Sequence, residues 1–189
     1  RNDVLIGMPF FYFSENENLT PTVSSFWKST VPKYRRQILT FPKNAKFFID
    51  TVITQAYQTY ENYDFELHFN TWKEIFANRK IVLVSGEGIL NKLRFHLLRD
   101  AGCIVENVYA PSMNAFSKLA ETVNKVLAYP PEEYTVCIIL GPAAKPMVCD
   151  LAQRSYIACD IGHLLKDYDA WMRKIERSDK NISKFFAPD

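Results

Sequence analysis

The sequence predicts an α/β fold of the Rossmann-like type: a single domain with a mostly parallel sheet and helices on both faces. Short β-branched runs alternate with helical segments from residue 80 onward. Such alternation implies right-handed crossovers and therefore parallel strands. The length of 189 residues suits one compact domain. Hydrophobic residues make up 48% of the chain, which is enough to build a core.

Four apolar runs bounded by glycine, proline or charged residues predict the strands. They are "KIVLVSG" (80–86), "CIVENVYAP" (103–111), "YTVCIILG" (134–141) and "YIACD" (156–160). The third run is the most apolar in the chain. Because strands of a parallel sheet are covered on both faces, near-continuous apolar runs are the pattern expected of them.

Four helices are predicted in the segments that follow these strands, since their apolar residues recur at helical spacing. They are "ILNKLRFHLLRDAG" (89–102), "NAFSKLAETVNKVLAYP" (114–130), "PAAKPMVCDLAQRS" (142–155) and "LLKDYDAWMRKIER" (164–177). Gly102 is expected as the residue after the end of the first helix, and Asn114 as the N-cap of the second. In the fourth segment, regular helix is expected from about Lys166.

The first 79 residues are less regular. "DVLIGMPF" (3–10) and "AKFFIDTVIT" (45–54) are predicted as strands. Residues 20–39 are predicted as a helix with Thr20 as N-cap and Pro21 in its first turn, broken near Pro32. The chain enters its first apolar run at once and does not begin with Met, so we expect further sequence upstream.

Composition disfavours several classes of protein. Lys and Arg total 23 against 21 Asp and Glu, a net charge of +2 without the basic excess of a nucleic-acid binder. The densest basic stretch, "KYRRQ" (33–37), fits a solvated helix face. No apolar run approaches the length of a membrane span, and no signal peptide opens the chain. Four cysteines without a CxxC pair favour a reducing compartment, and the cytoplasm is the expected location.

Polar residues and glycines cluster where the predicted strands end. Because ligands bind beyond the carboxyl ends of parallel strands, these residues are candidates for a site. Gly141 would let a ligand approach the backbone, and Pro142 suits the first turn of a helix whose N-terminus attracts anions. An ordinary strand-to-helix turn explains the same two residues. The full set of strand-end candidates is Gly86, Glu87, the "APSMN" segment (110–114), Gly141, Pro142, Asp160, Gly162 and His163.

The segment "CDIGHLLKDYDAW" (159–171) raises a more specific question. His163 lies just after a strand end, and Asp169 follows six residues later. A histidine beside a carboxylate suits acid–base chemistry or a diphosphate contact. A capping aspartate with a half-buried histidine is the alternative. Glu87 is equally open: it suits a metal, ribose hydroxyls, a catalytic base or a helix dipole.

Other nucleotide-dependent and hydrolytic motifs are missing from the sequence. It contains neither the GxSxG turn of serine hydrolases nor the GxxxxGK[ST] phosphate loop. "GEGILN" (86–91) has two glycines of the dinucleotide fingerprint GxGxxG and lacks the third. These absences disfavour a nicotinamide enzyme and a P-loop ATPase.

Four motifs in register resemble a known family. "VSGEG", "APSMNAFSK", "LGPAAKPMVCDL" and "ACDIGHLLKDYDAW" occur in the order seen in the GT-D-type glycosyltransferases, a bacterial family once defined only as a domain of unknown function. The resemblance covers about residues 3–172 and implies that 1–189 form one such domain. It implies an enzyme that transfers a sugar from a UDP-sugar to a glycan acceptor in bacterial surface glycoprotein or polysaccharide assembly.

The resemblance also implies roles for individual residues. Asp169, where the family usually has glutamate, is expected to be the base that takes the acceptor proton. His163 is expected to contact the diphosphate, and Glu87 completes the catalytic set. The residues expected to bind the donor are Thr54, Tyr57, Gly86, Asn114, Gly141, Pro142 and Asp160.

Departures from the family pattern leave other functions open. The metal-binding Asp-x-Glu motif of the family precedes the first strand and has no equivalent here, so a divalent cation (Mn²⁺ or Mg²⁺) is expected with ligands outside this chain. Gln55 stands in place of an arginine and Ala143 in place of a threonine. A catalytically inactive nucleotide-sugar or glycan-binding domain is therefore the second hypothesis. A methyltransferase with Glu87 on ribose hydroxyls is the third.

Overall fold

The computed structural model describes residues 4–14, 18–40 and 48–186. Its sheet has four strands, β1 (Lys80–Gly86), β2 (Ile104–Ala110), β3 (Tyr134–Ile139) and β4 (Ile157–Asp160). They lie in the order β2-β1-β3-β4, and every neighbouring pair is parallel. The four strands predicted from the sequence are thereby confirmed, with ends within two residues of the expected ones.

The described residues form helices before, between and after these strands. The α-helices are α1 (Pro21–Ile38), α2 (Ala56–Thr59), α3 (Phe65–Phe76), α4 (Leu97–Asp100), α5 (Leu119–Val126), α6 (Ala144–Gln153), α7 (Leu164–Met172) and α8 (Asp179–Phe186). Short 3₁₀ turns occur at Phe10–Tyr12, Thr51–Gln55, Ala115–Lys118 and Gly141–Ala143.

Helices cover both faces of the sheet, as the sequence predicts. Val82 and Val84 of β1 point into a core with α5 and α6, whereas Ile81 and Leu83 point into a second core with α3, α4 and α7. Successive side chains of a strand face opposite sides, which explains how one strand serves both cores. The Rossmann-like α/β class is confirmed.

The long helix predicted over 89–102 is wrong. Turns occupy most of the segment after β1, and only α4, Leu97–Asp100, is α-helical. The reason is a tertiary contact: the backbone N–H groups of Arg94 and Phe95 donate to the carboxylate of Asp169 instead of continuing a helix. Gly102 does follow the helix end as predicted, with a φ of +75° that suits glycine.

The break predicted near Pro32 is also wrong, since α1 runs unbroken through that residue. A proline removes one helical N–H, which leaves the carbonyl four residues earlier without its partner. Lys28 and Pro32 are both exposed, so water can serve that carbonyl. Pro21 lies in the first turn as expected, but the Thr20 hydroxyl donates to the Gln58 carbonyl and does not cap the helix.

The two early strands are not found among the described residues. An isolated bridge joins Gly7 to Ile49, and Thr51–Gln55 is a 3₁₀ turn. Asp50 favours the turn because its side chain accepts the N–H of Val52 at 3.1 Å. Residue 3 and residues 45–47 of these predictions lie outside the described residues.

The last helical segment starts earlier and ends earlier than expected. Regular helix begins at Leu164 instead of Lys166, and α7 ends at Met172. The end is a Schellman motif: Lys174 has a φ of +53°, its N–H donates to Trp171, and the N–H of Ile175 donates to Ala170.

Candidate functional site

Three strand ends lie side by side at one edge of the sheet, which we call the rim. Ser85 of β1 is paired with Ile139 of β3, and Ile138 is paired with Asp160 of β4. From β1 the chain moves outward to β2, and from β3 it moves outward to β4 on the other side. The position between the carboxyl ends of β1 and β3 is therefore a topological switch point, where open α/β sheets bind ligands.

The turn after β3 gives the rim an open backbone and the start of a helix. Gly141 has a φ of +53°, and nothing lies within 4 Å of the place where its Cβ would be. Pro142 follows in the 3₁₀ turn, and α6 begins at Ala144. The N-terminus of α6 contributes partial positive charge at this edge. Gly141 and Pro142 are thus where the sequence predicts them.

A lysine that sequence reasoning missed lies at the same place. The Nζ atom of Lys145, in the first turn of α6, lies 2.8 Å from Oδ2 of Asp160. The lysine side chain is 69% exposed and that of Asp160 24%. Oδ1 of Asp160 accepts the N–H of Gly162 at 3.0 Å. The sequence feature that could have indicated Lys145 is the "LGPAAK" spacing, which places a lysine four residues after the glycine.

Thr54 reaches the rim, whereas Tyr57 is engaged elsewhere. A Cβ added to Gly162 would lie 3.0 Å from Oγ1 of Thr54, so the two segments touch. The Tyr57 hydroxyl donates to the Ile175 carbonyl at 2.8 Å, and the Arg177 guanidinium lies 5.1 Å from the ring centre. Burial raises the pKa of Tyr57. The donor-binding roles predicted for both residues stay predictions.

Gly86 and Glu87 lie at the end of β1. A Cβ on Gly86 would lie 2.9 Å from the Cα of Ser112, so glycine permits the turns after β1 and β2 to approach. Glu87 is exposed, and its N–H donates to the Ala110 carbonyl at 3.0 Å. Its predicted catalytic role stays a prediction.

Asn114 is exposed in the loop that follows β2. Its φ of 52° is left-handed, and its side chain forms no capping bond to the 3₁₀ turn Ala115–Lys118. The α-helix α5 begins only at Leu119. The N-cap expected at Asn114 is therefore wrong. Its expected role in donor binding stays a prediction.

His163 and Asp169 lie at different positions along α7 and differ in burial. His163 is the half-buried N-cap residue, with its ring 5.3 Å from that of Phe185. Asp169 is only 4% exposed. Its Oδ1 accepts the N–H groups of Arg94 at 2.9 Å and Phe95 at 3.0 Å, and its Oδ2 lies 3.1 Å from Arg173 Nη1. Three of the roughly four acceptor positions of this carboxylate are thus taken, and one position on Oδ2 is left for an acceptor proton. The base role stays a prediction.

Asp167 is a buried carboxyl group that the sequence analysis does not single out. It is 0% exposed, and its oxygens accept the N–H groups of Tyr57 and Gln58 at 2.8 and 3.1 Å. Burial raises its pKa to about 8, although these N–H bonds and the nearby Arg177 favour the ionised form. No sequence spacing indicates this contact, because its partners are 110 and 109 residues away.

The side chains that the structure describes do not by themselves fit a divalent cation. Across residues 4–14, 18–40 and 48–186, no three His, Cys, Asp or Glu side chains come close enough to hold a metal ion. The carboxylate of Asp160 is already paired with Lys145. In the same part of the chain, no helix is both long and apolar enough to cross a membrane.

Comparison with solved structures agrees with this architecture. One structure, described as a highly conserved domain of unknown function 1792 with a distinct glycosyltransferase fold, has a TM-score of 0.80. It is 24% identical, and the match covers 90% of this chain and 60% of that one. A structure described as a new glycosyltransferase from Streptococcus sanguinis has a TM-score of 0.79 at 24% identity, with 90% and 63% covered. At this identity the likeness establishes the fold.

Two curated proteins are similar over nearly the whole chain. Glycosyltransferase GlyD of Streptococcus pneumoniae serotype 4 (strain ATCC BAA-334 / TIGR4) is 25% identical over 193 residues, which cover 97% of this chain and 23% of that protein. The probable glycosyl transferase Gly of Streptococcus gordonii is 26% identical over 182 residues, which cover 91% and 26%. The chain thus spans about a quarter of the length of these relatives.

A family model described as the glycosyltransferase GT-D fold matches residues 1–187. The match covers nearly the whole chain and agrees with the parallel sheet and with the motifs at its rim. This chain therefore belongs to the GT-D glycosyltransferase family.

Proposed function

We propose that this domain transfers a hexose from a UDP-sugar donor to a glycan acceptor in the assembly of bacterial surface glycoproteins or polysaccharides. The observation that best supports the proposal is the position of three family motifs. The turns that contain Gly86–Glu87, Gly141–Pro142 and Asp160–His163 lie side by side at the switch point of the sheet. This is the position at which α/β sheets bind nucleotides.

Sugar transfer needs two kinds of group. The acceptor oxygen bonds to the anomeric carbon, the bond from that carbon to the diphosphate oxygen breaks, and a base takes the hydroxyl proton. Positive groups must stabilise the departing UDP. We assign the phosphates to Lys145, His163 and the N-terminus of α6, and the proton to Asp169, with Glu87 completing the catalytic set. Lys145 would then exchange the Asp160 carboxylate for a phosphate.

A divalent cation remains part of the proposal because the family resemblance implies one. The described side chains do not fit it, so its ligands would come from other residues, and none of the steps assigned above depends on it. Calorimetry with UDP in Mn²⁺ and in EDTA tests this part. A dissociation constant that is the same in both would remove the cation from donor binding.

The reaction is tested by incubating the protein with UDP-glucose, UDP-galactose and their N-acetyl forms while free UDP is measured. We expect UDP binding by calorimetry and slow UDP release from at least one donor, faster when an acceptor glycan is present. Absence of UDP binding would contradict the proposal.

The expected compartment is the cytoplasm, which suits a chain whose cysteines are free thiols.

A catalytically inactive nucleotide-sugar or glycan-binding domain is the second candidate. It is favoured by the three partners that occupy the Asp169 carboxylate. Tight UDP binding without release of UDP from any donor, measured with Mn²⁺ and an acceptor present, would support it. Binding of S-adenosylmethionine in place of UDP would instead support the methyltransferase considered above.

A further inference from the structure

The segment Thr51–Tyr60 forms one side of the rim, yet it belongs to neither the sheet nor its crossover helices. It consists of a 3₁₀ turn and the four-residue helix α2. Thr54 touches Gly162 in the turn after β4. We call this segment the wall. A helix of four residues has almost no stability of its own, so other side chains must hold the wall in place.

The two ends of α2 are held by an acidic and a basic side chain. At its N-terminus, Asp167 accepts the N–H groups of Tyr57 and Gln58. At its C-terminus, the Arg177 guanidinium donates to the carbonyls of Tyr57, Tyr60 and Glu61. Accepting oxygens at the N-terminus and a positive donor at the C-terminus both match the helix dipole.

Asp167 and Arg177 both belong to the part of the chain that follows the candidate site. Asp167 lies one turn into α7, and its N–H donates to the carbonyl of His163. Arg177 follows the end of α7 and lies over the rings of Tyr57 and Phe65. The helix that begins at the rim therefore holds the wall at a fixed distance from the "DIGH" turn.

We propose that Asp167 and Arg177 are positioning residues that fix the wall against the rim so that Thr54 can contact the donor. This inference rests on the proposed function and deepens it. Neither residue needs to touch the donor, because each acts through the backbone of the wall. Loss of either should therefore weaken donor binding while it leaves the sheet and its two cores in place.

Donor affinity is the first test. Asp167→Asn keeps one accepting oxygen and loses the other, whereas Asp167→Ala loses both. We expect the UDP dissociation constant to rise in the order wild type, Asn, Ala, by roughly tenfold for each lost hydrogen bond. Arg177→Lys keeps the charge but not the fork, and should recover part of the affinity lost in Arg177→Ala. Asp150→Ala, on the outer side of α6 with an ion pair to Arg154, is the matched control.

A second readout reports on the wall without any ligand. The indole nitrogen of Trp72 lies 3.4 Å from the Ile53 carbonyl and 3.2 Å from Nε2 of His68, so its N–H is shared between them and its NMR resonance should shift when the wall moves. Amide hydrogen exchange at residues 53–60 should become faster in the same order, from wild type to Asp167→Asn to Asp167→Ala. Wild-type exchange, an unmoved indole resonance and wild-type UDP affinity in Asp167→Asn and Arg177→Lys would overturn the inference. A wild-type protein that does not bind UDP would instead contradict the proposed function, so the two failures are distinct.

Discussion

The ammonium of Lys145 lies 2.8 Å from the carboxylate of Asp160 and joins the first turn of α6 to the end of β4. The pair lies at the rim, beside the open backbone of Gly141. Because the lysine is mostly exposed, its charge can turn toward a ligand at little cost. A bound diphosphate would offer it more negative charge than a single carboxylate.

The first prediction concerns this lysine. Lys145→Ala should weaken UDP binding by roughly tenfold, the cost of one charge-assisted hydrogen bond, and should reduce the salt dependence of binding. Lys80→Ala is the control, since Lys80 is also ion-paired but lies at the opposite edge of the sheet. Calorimetry with UDP at two salt concentrations measures both effects. Equal losses in the two variants would remove Lys145 from the site.

The second prediction separates two roles of Asp169. Asp169→Asn keeps an oxygen for the N–H groups of Arg94 and Phe95 but cannot take a proton. If Asp169 is the base, turnover should fall by roughly 10²- to 10⁴-fold while UDP affinity stays close to wild type. Asp169→Ala should in addition loosen the loop after β1, seen as faster amide exchange there. Turnover unchanged in Asp169→Asn would leave Asp169 as an anchor for that loop and exclude it as the base.

The third prediction concerns the backbone of the turn after β3. Gly141→Ala meets open space, so its cost is the left-handed backbone alone, about 1 kcal/mol in the free energy of unfolding. Because the turn forms the rim, UDP affinity should fall as well. Gly102→Ala is the control for affinity: it has a similar positive φ but lies at the other edge of the sheet, and its Cβ would also come within 2.7 Å of Oδ1 of Asn78, so its loss of stability should be larger. Denaturant unfolding and UDP titration of both variants give the comparison, and a loss of affinity in Gly102→Ala alone would contradict it.

The fourth prediction follows from the raised pKa of Asp167. Its pKa is about 8 in the folded protein and 3.8 in a model peptide, so the folded state binds the extra proton between these values. The free energy of unfolding contributed by this group is therefore highest below pH 4 and falls as the pH rises toward 8. The limiting slope is about 1.4 kcal/mol per pH unit.

Asp167→Asn removes this titration, so the wild-type and variant curves should diverge between pH 4 and 8. Arg177 and Tyr57 face Asp167 and remain in both proteins, so the difference between the curves isolates the carboxyl group. Chemical denaturation at a series of pH values measures it. Parallel curves across this range would contradict the raised pKa.

Local sequence patterns were sufficient for the sheet. Its strands are short apolar runs between turns, and the parallel order follows from their alternation with helices. The helix predicted after β1 is wrong because the apolar spacing of the segment matches a helix, while Asp169, some 75 residues away, accepts the N–H groups that the helix would need. The break predicted near Pro32 is wrong for a different reason: an exposed helix tolerates the loss of one backbone hydrogen bond.

The same distinction, between local sequence pattern and tertiary contact, explains which residues of the site the sequence predicts. The strand-end rule brings Gly86, Glu87, Gly141, Asp160 and His163 to one edge, because position in a parallel strand determines where its last residue lies. It does not reveal Lys145 and Asp167. Their partners are distant in sequence and become neighbours only when α6 and α7 have packed on the sheet.

If the rim binds the diphosphate of a UDP-sugar, NMR titration with UDP will show it at named residues. We expect amide shifts that saturate together at Gly86–Glu87, Gly141–Lys145 and Asp160–His163, with little change at Lys80 and Glu133 on the opposite edge. Shifts confined to that opposite edge, or none at millimolar UDP, would contradict it.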